Sequence, residues 1–189
     1  MNADLLVYQA KAFYNAYIAL DQLSRDDSDT LLLLFAPLIV NGAFSTELTL
    51  KAILAKNKIE YGKEHNLLIL FRMLPKSFQQ ELWAYLIEKA PEYAGSEKGL
   101  DELVLLSNAF VDWRYAFEGK PVPAIESRFL AAFANAAVHT MFSYYNADLL
   151  PATKAESNNE IEQRFHENRE KCKEINLKMI QKKTKEHQL

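Results

Sequence analysis

Apolar residues recur at three- and four-residue spacing along nearly the whole chain, and no stretch keeps the strict alternation of a half-buried strand. This periodicity, with only 5 Gly and 6 Pro in 189 residues to interrupt it, confines the chain to helix packed on helix. The fold class expected is all-α: an up-and-down bundle of four to five core helices, with a short connecting helix and a C-terminal helical tail. Hydrophobic residues make up 49% of the chain, enough for a sizeable core.

Punctuation along the sequence divides it. A first helix is expected from Asp4 to Ser24, with Leu5, Tyr8, Ala12 and Tyr17 near helical spacing. SRDDSDT follows as a polar connector with N-cap side chains. A second helix ends near Asn57, and Pro37 either starts or kinks it. From Val40 to Leu54 this helix is apolar on every side, the mark of a central element. NKIEYGKEHN is a connector, LLILFRML a short helix, and KSFQQELWAYLIEKA a further helix opened by Pro75. PEYAGSEKG reads as loop, Leu100 to Glu118 as one helix, GKPVPA as a stop, and Ala124 to Leu149 as a long helix. The domain boundary falls at Pro151, separating a bundle at 1–151 from a charged extension at 152–189. In that extension Ile161, Phe165, Asn168, Cys172, Ile175 and Met179 form a thin heptad stripe. It reads either as a solvated helix or as a weak dimer seam.

The formal net charge of −3 argues against a general nucleic-acid coat. The longest apolar run, Leu31 to Val40, is broken by Pro37 and too short to span a bilayer, so no membrane association is expected. The segment MNADLLVYQ lacks a basic-then-apolar leader pattern, and the single Cys172 excludes an internal disulfide. A cytoplasmic setting is the expectation.

Enzyme signatures are absent. There is no Gly-rich phosphate loop and no Gly-x-Ser-x-Gly elbow, and the isolated His65, His139, His166 and His187 show no metal-ligand spacing. No cofactor and no metal are expected, and the balance moves toward binding. The anomalies are polar residues among apolar ones. On a wheel of 100–118, Leu103, Leu106, Phe110, Trp113 and Phe117 form a core stripe, Ser107, Arg114 and Glu118 line its edge, and Asp112 faces solvent. Arg114 beside the stripe needs a partner, and Glu118 is four residues away. In the second helix Asn41 lies in line with Phe44 and Leu48, and the pair Glu47 and Lys51 flanks that face. If the two helices are neighbours, Asn41, Ser45, Glu47, Lys51, Arg114, Tyr115 and Glu118 form one polar cluster. Two readings follow: a network fixing helix register, or a pocket for an anion or nucleotide with Lys51 and Arg114 as phosphate donors. Arg128, Asn135 and His139 make a further line on the last helix.

The segments NGAFSTELTLKAIL, EHNLLILFRMLP and AFVDWRYAFE, together with their order, resemble the HEPN proteins, nucleotide-binding helical domains of prokaryotes and higher eukaryotes. The resemblance covers about residues 5–145. It implies a helical bundle, often a homodimer, working around nucleotides or RNA. Many such proteins are toxins or defence components, with an antitoxin or a nucleotidyltransferase as partner. Ribonuclease members carry arginine, four to six residues, then histidine, converging from two chains. Here Ala132, Phe133 and Ala134 occupy the positions an arginine would need before His139, and Arg128 lies about 16 Å away along a helix. RNA cleavage by that pair is therefore not expected. A bundle that binds a nucleotide, RNA or protein partner is the leading expectation. A divergent metal-independent ribonuclease using His139 and Arg128 and a purely structural dimerisation module are the alternatives.

Overall fold

The computed structural model describes residues 3–25, 28–118 and 121–145. The C-terminal extension and its heptad stripe lie outside them. The described chain is all-α, with no strand among the described residues. Its helices are α1 (Ala3–Ser24), α2 (Ser28–Lys56), α3 (Leu67–Met73), α4 (Lys76–Lys89), α5 (Ser96–Leu106), α6 (Ala109–Arg114) and α7 (Ser127–Tyr145). Short 3₁₀ turns occupy Pro91–Tyr93 and Ala116–Glu118. The helices run up and down around α2, which packs against α1, α3, α6 and α7, while α4 packs on α7.

The uniform apolarity of α2 explains its place. Leu48, Leu50, Ala52, Ile53 and Leu54 are all buried. Its buried hydroxyls bond locally or to a neighbour: Thr46 Oγ1 donates to the Gly42 carbonyl at 2.8 Å, Thr49 Oγ1 to Ser45 at 2.8 Å, and Ser45 Oγ to the α1 carbonyl of Ala10 at 3.0 Å. Pro37 neither starts nor ends the helix. It sits on the exposed side, where the carbonyl one turn before it can meet water instead of the missing N–H. Asn41 Nδ2 donates to the Pro37 carbonyl at 2.7 Å. Because the helix continues through Pro37, its apolar stretch is longer than the run Leu31 to Val40. Leu33–Lys56 has the length and mean hydropathy (1.4) of a membrane-crossing helix, and just over half of that stretch is buried within the bundle.

Three expectations are corrected. The buried face of α1 is Leu6, Val7, Ala10 and Tyr17; of the residues expected inward, Tyr17 is buried and Leu5, Tyr8 and Ala12 are not. Leu5 and Tyr8 are exposed, because the helix is apolar on more than one side and periodicity alone does not choose. The segment read as loop at 91–99 is a 3₁₀ turn followed by the first turn of α5. The single helix expected over 100–118 breaks at Ser107–Asn108. There the Ser107 carbonyl accepts from Leu67 N–H at 2.8 Å, Ser107 Oγ turns back to the Val104 carbonyl at 2.6 Å, and Asn108 leaves helical geometry. A tertiary hydrogen bond to α3 replaces a helical one, which sequence spacing does not reveal.

Aromatic contacts tie the layers. Phe44 stacks on Phe110 at 4.3 Å and meets Phe13 edge-on at 4.6 Å, joining α1, α2 and α6. Phe71 meets Phe133, and Tyr145 Oη donates to the Ala52 carbonyl at 2.9 Å. Burial and the neighbouring carboxylate of Asp4 push the Tyr145 phenol up to about 12, with burial the larger cause. At Gly42 the helices approach so closely that a Cβ would lie 3.0 Å from Tyr17 Cδ2 and 3.2 Å from Leu130 methyls. Gly42→Val is expected to lower stability by about 1–3 kcal/mol, measured by urea denaturation.

Candidate functional site

Glu47 and Lys51 are the only buried charged side chains among the described residues. They stand one turn apart on α2, and Lys51 Nζ donates to Glu47 Oε1 at 2.7 Å. His65, from the connector between α2 and α3, reaches the same oxygen with Nδ1 at 2.9 Å. A carboxylate only accepts, so Nδ1 carries the proton and Nε2 is the ring nitrogen left for other partners. The His65 side chain is half exposed. Glu47 Oε2 is buried and has no hydrogen-bond partner. Lys51 Nζ also lies 5.4 Å from the centroid of the Tyr61 ring. Burial, and secondarily the Glu47 carboxylate, raise the Tyr61 phenol above its usual range.

The connector is built to deliver these groups. Helix α2 ends in paired bonds, Ile59 N–H to the Leu54 carbonyl (2.9 Å) and Lys58 N–H to Ala55 (3.0 Å), with Lys58 in the left-handed region at φ 57°. Gly62 holds a second left-handed turn. The Glu64 carboxylate accepts from the backbone N–H groups of His65 (2.9 Å) and Asn66 (2.7 Å). Asn66 caps α3 by accepting from Ile69 N–H at 3.0 Å, and its amide donates to Asn108 at 3.1 Å. Each residue of Glu64-His65-Asn66 thus has a distinct task, and the imidazole is aimed at α2. Beside Tyr61 the connector forms an open pocket of about 460 Å³ lined by Ala55, Lys58, Ile59, Glu60, Tyr61 and Gly62.

The single cluster expected from the sequence is divided. Asn41 bonds within α2 and Ser45 bonds to α1, so both serve helix packing. Arg114 is exposed and lies over the rings of Phe110 (4.9 Å) and Tyr115 (4.6 Å), a placement that leaves its charge in solvent. Phe44 pairs with Phe110 and Phe35 with Trp113, so α6 runs antiparallel to α2. Lys51 lies two turns from Phe44 in one direction and Arg114 one turn from Phe110 in the other, about 16 Å apart. Tyr115 is partly exposed and Glu118 exposed, both at the Arg114 end. The break at Ser107–Asn108 rotates this end away from the wheel drawn for an unbroken helix, and Asp112 is half-buried rather than solvent-facing. On α7, Arg128 pairs with Glu92 at 2.6 Å and the His139 ring stacks on Tyr85 at 3.8 Å. These two residues do not meet within the chain. Among the described residues no three His, Cys, Asp or Glu side chains converge on a metal position.

His65 and Tyr61 are the members that periodicity missed. Their signal was chemical: a buried carboxylate paired with one lysine still leaves lone pairs, and a histidine flanked by Glu64 and Asn66 sits at the next helix entry. No protein-family model matches the chain, and no curated protein and no solved structure is significantly similar to it.

Two stability outcomes follow. Lys51→Met strands the buried Glu47 carboxylate and is expected to cost about 3–5 kcal/mol, most of it recovered by adding Glu47→Leu, measured by urea denaturation. Lys58→Gly relieves a left-handed side chain and is expected to raise stability by about 0.5–1 kcal/mol in the same assay.

Proposed function

We propose that this chain is a HEPN-like helical bundle that binds a phosphate-bearing ligand, a nucleotide or RNA, at the α2–α3 connector, without the arginine–histidine cleavage pair. The observation that carries the reading is the meeting of Glu47, Lys51 and His65. These residues come from two of the three segments that carry the resemblance, Ser-x-Glu-Leu-x-Leu-Lys and His-Asn-Leu, the third being the Trp-Arg-Tyr helix. Beside them lies a pocket of about 460 Å³, within the range of nucleotide-sized sites. Its chemistry suits such a ligand. Tyr61 offers a ring face for a base, Lys58 and, in its imidazolium form, the half-exposed His65 offer donors for phosphate oxygens, and Glu60 offers an acceptor for a ribose hydroxyl. By the resemblance, a toxin–antitoxin or defence setting would supply such a ligand.

A second reading is favoured by the close pairing of Glu47 with Lys51 at 2.7 Å: the cluster only holds the connector in register. An isothermal titration with nucleoside monophosphates and short RNA separates the two. On the binding reading, His65→Ala and Tyr61→Leu each weaken association about ten- to a hundredfold with helical content unchanged, whereas Arg114→Ala leaves it as it was. Binding that ignores both connector substitutions would leave the register reading standing alone.

A further inference from the structure

The two ring nitrogens of His65 are not equivalent. Nδ1 is tied at 2.9 Å to Glu47 Oε1, and the carboxylate obliges it to carry a proton. Any change of charge in the ring therefore falls on Nε2. With Nε2 bare, the half-exposed ring offers a lone pair, which repels a phosphate oxygen. With Nε2 protonated, the same ring offers a charged N–H donor.

Charges reach this ring from the elements packed around it. Helix α2 contributes Glu47 and Lys51, both buried and paired at 2.7 Å, while Lys56 turns away to the Tyr144 carbonyl on α7. The connector contributes Glu64, whose carboxylate accepts from the His65 backbone N–H, and Tyr61 beside Lys51. Its other charges are Lys58 and Glu60, which line the pocket, and Lys63. The charge on α3, Arg72, lies in the last turn of that helix. From the start of α6 the neutral Asn108 bonds to Asn66, with Asp112 and Arg114 further along. Glu47, Glu60 and Glu64 thus balance Lys51, Lys58 and Lys63 when the imidazole is neutral. A proton on Nε2 adds one positive charge in excess, and an entering anion restores the balance. Histidine is the side chain whose ordinary range falls between pH 5 and 8, and burial holds the Tyr61 phenol above its own usual range.

We propose that a ligand phosphate enters the connector site together with one proton, taken up at His65 Nε2, so that affinity rises as pH falls. This inference rests on the binding reading given above. The coupling is reciprocal: the phosphate favours the proton by as much as the proton favours the phosphate.

The test is isothermal titration of the full chain with adenylyl-adenosine and with a short RNA, whose diester phosphates keep one charge each from pH 6 to pH 8. Kd is expected to be about tenfold or more lower at pH 6 than at pH 8, inside the roughly hundredfold that one proton allows over two pH units. At pH 7, heats measured in buffers of different ionisation enthalpy are expected to report proton uptake. His65→Gln, a neutral amide, binds weakly, and His65→Arg, a fixed cation, binds at pH 8 about as tightly as the wild type does at pH 6. Both lose the pH dependence, with helical content unchanged. In the wild-type chain labelled with ¹⁵N-histidine, the ligand moves the Nε2 resonance from that of a bare nitrogen to that of an N–H, which locates the proton without a substitution. Binding with a flat pH profile, or with no proton taken up, overturns the inference and leaves the binding reading standing. Proton uptake that persists in His65→Gln belongs to another group and overturns it as well. No association at any pH removes the binding reading and the inference together.

Discussion

A carboxylate buried in the middle of the central helix sets the terms for this fold. Glu47 is 1% exposed on a helix whose side chains are mostly apolar or small. Left alone, such a charge costs several kcal/mol. Lys51 one turn on answers part of that demand from within the helix, and His65 answers a further part from outside it, both at Oε1. To bring an imidazole to that oxygen, the chain after α2 must turn back across it. The left-handed Lys58 and Gly62, the Glu64 bonds to backbone N–H groups and the Asn66 cap accomplish this return.

The consequences spread through neighbouring elements. Once Asn66 is fixed, its amide bonds to Asn108 and Leu67 N–H takes the Ser107 carbonyl. That bond ends α5 and starts α6 on a new axis, which brings Phe110 onto Phe44 and Trp113 against Phe35. The antiparallel run of α6 on α2 sets Arg114 and Lys51 at opposite ends of this contact. Polar residues of the α2–α6 pair therefore divide into a buried charged end at the connector, beside the pocket of about 460 Å³, and an exposed aromatic-backed end at Arg114.

What the sequence disclosed depended on the range of the interaction. The helices, the connector 57–66, the stop at Pro75 and the central place of α2 follow from local periodicity and punctuation, and all were legible. The Glu47–Lys51 pair was also legible, being one turn apart. His65 was not, because its partner is eighteen residues earlier and its own surroundings are polar. The break at Ser107–Asn108 was hidden for the same reason: nothing near it is a glycine or proline, and the bond that causes it arrives from α3. Of the α1 residues expected inward only Tyr17 is buried, because that helix is apolar on more than one side and periodicity gives the period without the phase. Arg114 was grouped with Lys51 from helix wheels alone, which carry no information on the antiparallel register that sets the two apart.

The connector end of α2 as the binding surface is the central claim, and side-chain NMR on the full chain tests it most directly. With ¹⁵N-labelled histidine and lysine and ¹³C-labelled tyrosine, addition of a nucleoside monophosphate is predicted to shift His65 Nε2, Lys51 Nζ and the Tyr61 ring first and most, leaving the Tyr115 ring in place. Shifts confined to Tyr115 and the α6 end, or none at saturating nucleotide and RNA, would contradict the account.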